Sequence, residues 1–181
     1  FVFRDEAHMR AVIDGPIGKE LLDKITASPA RLVALGWMDS GSRSLYTKKE
    51  IKTPADLKGL KIRVMGNPLF VDTLNAMGGN GITMGHNDTF SALQTGVVDG
   101  TENPPSNFYT QKMHEVQKHV SMTNHGYLGY AVIVNKKFWE GLPADVRGQL
   151  EKAMKQATFY ANQIAQDEND QALAGVRKSG K

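Results

Sequence analysis

The chain contains no cysteine, which excludes disulfides, thiolate catalysis and cysteine-ligated zinc. Its longest apolar stretch, around "YAVIV" at 130–134, is strand-sized and well short of the ~20 residues that cross a bilayer. The amino end "FVFRDEAH" has neither a basic n-region nor a long apolar core, so it carries no visible targeting signal. Charge runs are also missing. Although Lys and Arg total 22 against 19 Asp and Glu, a balance of +3, the basic residues cluster only as doublets such as Lys48–Lys49 and Lys136–Lys137. With no basic stripe interleaved with aromatics, nucleic acid is not an expected partner. No direct membrane insertion is expected either.

Catalytic signatures are equally scarce. "HEVQKH" (114–119) is one residue too long for a zinc-protease HExxH, and on a helix its two histidines would diverge by about 140°. "GGNG" (78–81) lacks the Gly-Lys-Ser/Thr of a phosphate loop, and no GxSxG elbow is present. No metal site, cofactor or catalytic residue is therefore expected.

What is present is a regular alternation of elements. Asp5 to Ile13 and Ile17 to Ile25 read as helices separated by the breaker "DGP" (14–16). "RLVALGWM" (31–38) reads as a buried strand and "SRSLYTKK" (42–49) as a second extended piece. A capped turn, "TPADLKG" (53–59), leads into the strand at 60–64, and Asn67 with Pro68 opens the next helix. "GITMG" (81–85) is a strand. Asn87 or Asp88 then caps a helix through Val97, with Leu93 and Val97 on one face, and "GTEN" (100–103) follows as an extended piece. This βαβαβ order predicts an α/β fold with a mostly parallel sheet. "VSMTNHGYLGYAVIVN" (120–135) is the longest strand pattern. A helix from about Pro143 to Leu173 keeps Val146, Leu150, Met154, Ala157, Ala161 and Ile164 on one face. At 1.5 Å per residue it is about 45 Å long, enough to lie across two lobes.

One residue is out of place for a core strand. In "LKGLKIRVMGNP" (57–68), Ile62 and Val64 share one face while Arg63 points to the other, beside the turn into a helix. Ligands of open α/β sheets sit beyond the carboxyl ends of strands. A guanidinium there offers a planar fork that matches a carboxylate.

The segments "DLKGLKIRVM", "ALQTGVVDGTENPPSNFYTQKMHEVQKHV" and "TNHGYLGYAVIVNKKFWEGLPADVRGQLEKAM" resemble the solute-binding proteins of tripartite ATP-independent periplasmic (TRAP) transporters, in particular the C4-dicarboxylate-binding DctP branch. The resemblance implies a two-lobe periplasmic-binding-protein-like fold with a long hinge-spanning helix. It places part of lobe one at 1–39, lobe two at 40–128, a return strand and turn of lobe one at 129–145, and the long helix with the start of a carboxyl-terminal part at 146–181. It also implies that an amino-terminal part of lobe one, with a signal peptide, precedes Phe1.

The function implied is capture in the periplasm of a small carboxylate, such as the C4-dicarboxylates succinate, malate or fumarate, and its delivery to the membrane permease subunits. Arg63 is implied to salt-bridge the ligand carboxylate, Arg43 to be a second basic contact, and Asn103 to hydrogen-bond the carboxylate. Glu102 and His125 fall where members hold a water network. His86 stands where many members carry Phe, within "MGHND" rather than "MAFSE", and a histidine there meets a hydroxyl or a second carboxylate. An α/β enzyme acting on an organic acid is the rival reading, with only His86 and His125 as acid–base candidates.

Overall fold

The computed structural model describes residues 2–180. Two helices open it, α1 (Glu6–Ile13) and α2 (Pro16–Ala27). The Asp5 carboxylate caps α1 by accepting from the His8 amide, and Pro16 starts α2 at a position where its missing N–H costs nothing. Five strands follow in chain order: β1 (Leu32–Thr47), β2 (Lys61–Val64), β3 (Asn80–Thr83), β4 (Gly100–Asn103) and β5 (His119–Asn135). They form one sheet in the order β3-β2-β4-β1-β5. Among the helices, α3 (Pro68–Ala76) and α4 (Thr89–Thr95) make the crossovers of the β2–β3–β4 unit. The remaining three are α5 (Pro105–Thr110), α6 (Lys136–Glu140) and α7 (Ala144–Lys178).

The chain divides into two compact units, Phe1–Ser40 with Gly129–Gln166, and Gly41–Leu128 with Asp167–Lys181. Residues 1 and 181, which close two of the expected lobe ranges, lie outside the described residues. The second unit holds the βαβαβ pattern. β2 pairs in parallel with β3 on one side and with β4 on the other, while β4 pairs antiparallel with β1. Alternation on these strands loads the two faces differently. Leu45, Ile62 and Val64 face α3 and pack with Leu57 and Leu74. Tyr46 packs on the opposite side with Ala92, Leu93, Val98, Phe108 and Met113.

Three expectations are corrected. The extended pieces at 31–38 and 42–49 are one strand, β1, which continues through Gly41 at φ +107°. Residues 39–41, which lie between the two expected pieces, are extended too, and the Asp39 N–H donates to the Asn162 amide oxygen of α7. A Cβ on Gly41 would lie 2.4 Å from the Asn169 amide, so the approach to α7 also requires glycine there. The helix capped by Asp88 ends at Thr95, because Gly96 turns left-handed at φ +80°. Val97 is thus off the helix and 56% exposed, whereas Leu93 is buried. His114 lies in a 3₁₀ turn and His119 at the start of β5.

The third correction concerns α7, which runs unbroken through Gly148 and extends to Lys178. Its apolar stripe does not make the main packing face, since Val146 is 37% and Leu150 41% exposed. The face that packs is rotated by one residue. In the first unit, Thr158 lies against Gly36, and the Asn162 amide bridges β1 by donating to the Trp37 carbonyl and accepting from the Asp39 N–H. In the second unit, Asn169 accepts from the Ser106 N–H, and Ala172 and Val176 are buried. Small and amide side chains let backbone approach backbone, which a hydrophobic periodicity does not register.

Two glycines give opposite expectations. A Cβ on Gly100 would meet the Tyr46 carbonyl and Thr47 Cγ2 at 2.7 Å, so Gly100→Ala should destabilise by about 1–3 kcal/mol. Gly148 has nothing within 4 Å of its Cβ position, and Gly148→Ala should stabilise by up to about 1 kcal/mol. Urea denaturation of both variants, followed by circular dichroism, checks the pair.

Candidate functional site

The six residues singled out above all fall in the second unit. Arg63 is in register with Thr101 across the parallel β2–β4 ladder, and Thr101 is in register with Tyr46 of β1. Side-chain alternation therefore puts Arg63, Thr101 and Asn103 on one face of the sheet. Arg43, two residues before Leu45, takes the other face together with Glu102, the register partner of Leu45. The Arg43 guanidinium reaches Met65 just beyond the carboxyl end of β2, two residues on from Arg63.

Arg43 is fully buried and fully engaged. Its Nε and Nη2 donate to the two carboxylate oxygens of Glu102, and Nη2 also lies 3.4 Å from the Glu102 carbonyl. Nη1 reaches the Met65 sulfur at 3.6 Å, and the guanidinium carbon sits 4.6 Å above the centre of the Phe70 ring. His125 completes the group, with Nε2 3.5 Å from Glu102 and Nδ1 2.7 Å from the Thr123 hydroxyl. Burial alone would raise the Glu102 pKa. The hydrogen bonds and charges of His125 and Arg43 outweigh it and hold the carboxyl below its usual range.

Arg63 is 2% exposed and stands differently. Its Nε and Nη2 donate to the Met84 carbonyl, at 3.0 and 2.8 Å, in the turn that follows β3. That turn is pinned to β2 by the Met84 N–H donating to the Val64 carbonyl. Arg63 Nη1 has no partner, and neither has the buried hydroxyl of Thr101 beside it. Burial lowers the guanidinium pKa, but an arginine remains charged. Held along one edge by a carbonyl, it presents its outer Nη edge as a two-pronged donor. Asn103 is 3% exposed, and its Oδ1 accepts from the Asn107 amide at 3.2 Å, which leaves its own NH₂ as the group it can offer. His86 sits exposed in the Met84–Asp88 turn. Partial desolvation and the neighbouring Arg63 charge push its imidazole below the ordinary value.

The sequence reading did not include Met84 or Thr101 in the site. A backbone carbonyl leaves no trace in residue type, and Thr101 becomes notable only once the β2–β4 register is known. Among the described residues no cluster of three or more His, Cys, Asp or Glu could hold a metal ion. An open groove of about 490 Å³, lined by Arg10, Trp37, Lys155, Phe159 and Asn162, belongs to the first unit and contains none of the six residues.

The family of bacterial extracellular solute-binding proteins, family 7 (DctP), matches residues 1–181. The chain belongs to this family. It is 48% identical over 180 residues to the C4-dicarboxylate-binding periplasmic protein DctP of Rhodobacter capsulatus, covering 99% of this chain and 54% of that protein. The chain thus spans about half the length of the curated relatives it matches. Among solved structures, a TRAP periplasmic solute-binding protein from Pseudomonas putida F1 with bound D-glucuronate superposes with a TM-score of 0.95 at 46% identity, covering 99% of this chain and 59% of that one. A TRAP protein from Sulfurospirillum deleyianum with bound succinate gives a TM-score of 0.91 at 40% identity, over 98% and 57% of the two chains. The family is one of extracytoplasmic transport proteins, and among the described residues no helix is long and apolar enough to cross a membrane.

The Glu102 carboxylate carries the prediction from this geometry. Glu102→Gln leaves Arg43 buried without its counter-charge and should cost about 3–5 kcal/mol of stability. Because the folded pKa of Glu102 is depressed, its contribution is present above the unfolded carboxyl value of about 4.3 and is lost as pH falls through the folded one. Denaturation midpoints measured from pH 7 down to pH 3 should therefore show a smaller acid loss in the variant than in the wild type.

Proposed function

We propose that this DctP-family chain is the ligand-holding part of a TRAP transporter solute-binding protein. It captures a small carboxylate in the periplasm and delivers it to the membrane permease subunits without chemical change. The observation that carries this reading is Arg63, a buried guanidinium at the carboxyl end of a parallel strand, anchored through Nε and Nη2 and unpartnered at Nη1. Asn103 supplies a neutral donor on the same face, and the fork-shaped pair is the geometry a carboxylate matches bidentately. Arg43 acts beside it by holding Glu102. In this reading the two compact units correspond to the two lobes of a binding protein, and α7 contributes residues to both.

Succinate, malate and fumarate are candidate ligands because a 48% identical relative is named for C4-dicarboxylate binding and another relative was solved with succinate. The relative solved with D-glucuronate widens the class to sugar acids. An enzymatic role would need a general acid or base free to act near the ligand. His125 is instead held between Thr123 and Glu102. Ligand recovered unchanged after long incubation separates the receptor from the enzyme.

Arg63→Ala should cost about 2–5 kcal/mol of carboxylate binding, because the ligand's charge would be desolvated without its partner. That is roughly thirty-fold to several-thousand-fold in Kd. Arg63→Lys should recover only part, since a point charge cannot reproduce the fork. Calorimetric titration of the full-length protein with succinate and D-glucuronate measures this, with folding verified by circular dichroism. Binding at wild-type strength by a folded Arg63→Ala protein would refute the assignment.

A further inference from the structure

Asn–Gly pairs usually mark tight turns between strands. The chain has one such pair, Asn80–Gly81, and it opens β3 instead. Packing accounts for the glycine. A Cβ on Gly81 would lie 3.0 Å from the Val71 Cα and 3.2 Å from the Val71 carbonyl oxygen, so a side chain there would press on the backbone of α3. Helix and strand thus meet at a dipeptide with a chemistry of its own. The side-chain amide of an asparagine is open to attack by the peptide nitrogen that follows it, and a following glycine leaves that nitrogen unshielded.

Asn80 is exposed, and β3 is an edge strand of the sheet. The Asn80 N–H donates inward, to the Leu60 carbonyl at 2.9 Å. The next N–H along a strand points the opposite way, so that of Gly81 faces the open edge. Its acceptor is the side-chain Oδ1 of Asn75, in the last turn of α3, at 3.0 Å. The Asn75 backbone carbonyl in turn accepts from the Gly78 N–H at 3.0 Å, which ties the guard residue to the turn leading into β3.

We propose that Asn80 is a site of spontaneous deamidation and that Asn75 restrains the reaction by holding the nitrogen that would attack. In that reaction the Gly81 nitrogen gives its proton to water and attacks Cγ of Asn80. A C–N bond forms, the bond from Cγ to the side-chain nitrogen breaks, and that nitrogen leaves as ammonia, taking a proton back from water. Water then opens the cyclic imide at either carbonyl, which leaves aspartate or isoaspartate. Water is the only other reactant. Two features of the fold oppose the first step. The Asn80 side chain stands out of the sheet plane while the Gly81 N–H lies in it, and the bond to Asn75 keeps the proton on the nitrogen and the nitrogen turned toward α3.

The test follows the full-length protein in mildly alkaline buffer, with conversion of Asn80 to the acid measured by peptide mapping and mass spectrometry. The native wild type should convert more slowly than the same protein unfolded in urea. Folded Asn75→Ala should convert about twofold to tenfold faster than the native wild type, the scale of one hydrogen bond. Asn75→Asp keeps an oxygen for the Gly81 N–H and should stay near the wild-type rate, which a general loosening of α3 would not allow. Amide hydrogen exchange at Gly81 needs no variant, and protection there in the wild type supports the assignment. Conversion of Asn75→Ala at the wild-type rate overturns the proposal, as does Asn75→Asp reacting as fast as Asn75→Ala. Native protein converting as fast as unfolded protein, or unprotected exchange at Gly81, overturns it as well.

Discussion

The buried pair of Arg43 and Glu102 is the constraint on which the rest of the site depends. It joins two neighbouring strands across 59 positions of sequence, and both side chains are fully buried. Such a pair adds little net stability over a well-packed apolar substitute, yet breaking it is costly. Its consequence here is register. Glu102 must face Arg43, so Asn103 must face the opposite way, toward Arg63 and Thr101. A slip of one residue between β1 and β4 would exchange those faces and leave Arg43 without its partner. The pair also uses up one of the two arginines buried among the described residues, which leaves Arg63 as the one with an open edge.

The second constraint is the way α7 meets the strands. Its packing stripe runs Thr158, Asn162, Ala165 and then, in the second unit, Asn169, Ala172 and Val176, spaced by three and four residues as a helix requires. Two asparagines on that stripe answer backbone groups that would otherwise be buried without partners: Asn162 serves Trp37 and Asp39, and Asn169 serves Ser106. Gly36 and Gly41 on β1 lie opposite the stripe, where a side chain would meet Thr158 and Asn169. Helix and strand are thus matched by shape and hydrogen bonding more than by apolar area.

Electrostatics follows from that geometry. Glu102 is held ionised by its neighbours in spite of burial, and Arg63 is held by a carbonyl in spite of its charge. A carbonyl can orient a guanidinium without neutralising it, while a carboxylate does both. The two arginines look equivalent as residue types. They differ because one faces an acid and the other faces a peptide oxygen.

The sequence by itself determined the element types and most of their limits, because caps, proline starts and two-fold or 3.6-fold periods are written in near neighbours. Asn67 with Pro68 opening α3, and the placing of Arg63 between Ile62 and Val64 in β2, needed nothing from afar. It also determined the family, since "ALQTGVVDGTENPPSN" and the segment leading into α7 are long and specific. Tertiary structure alone decided that residues 39–41 stay in strand, that α7 packs on a face one residue away from its apolar stripe, and that Glu102 belongs to Arg43 and not to Arg63. Each of these turns on a partner far away in the chain. Local periodicity says which residues share a face, but only the strand order and register say what that face meets.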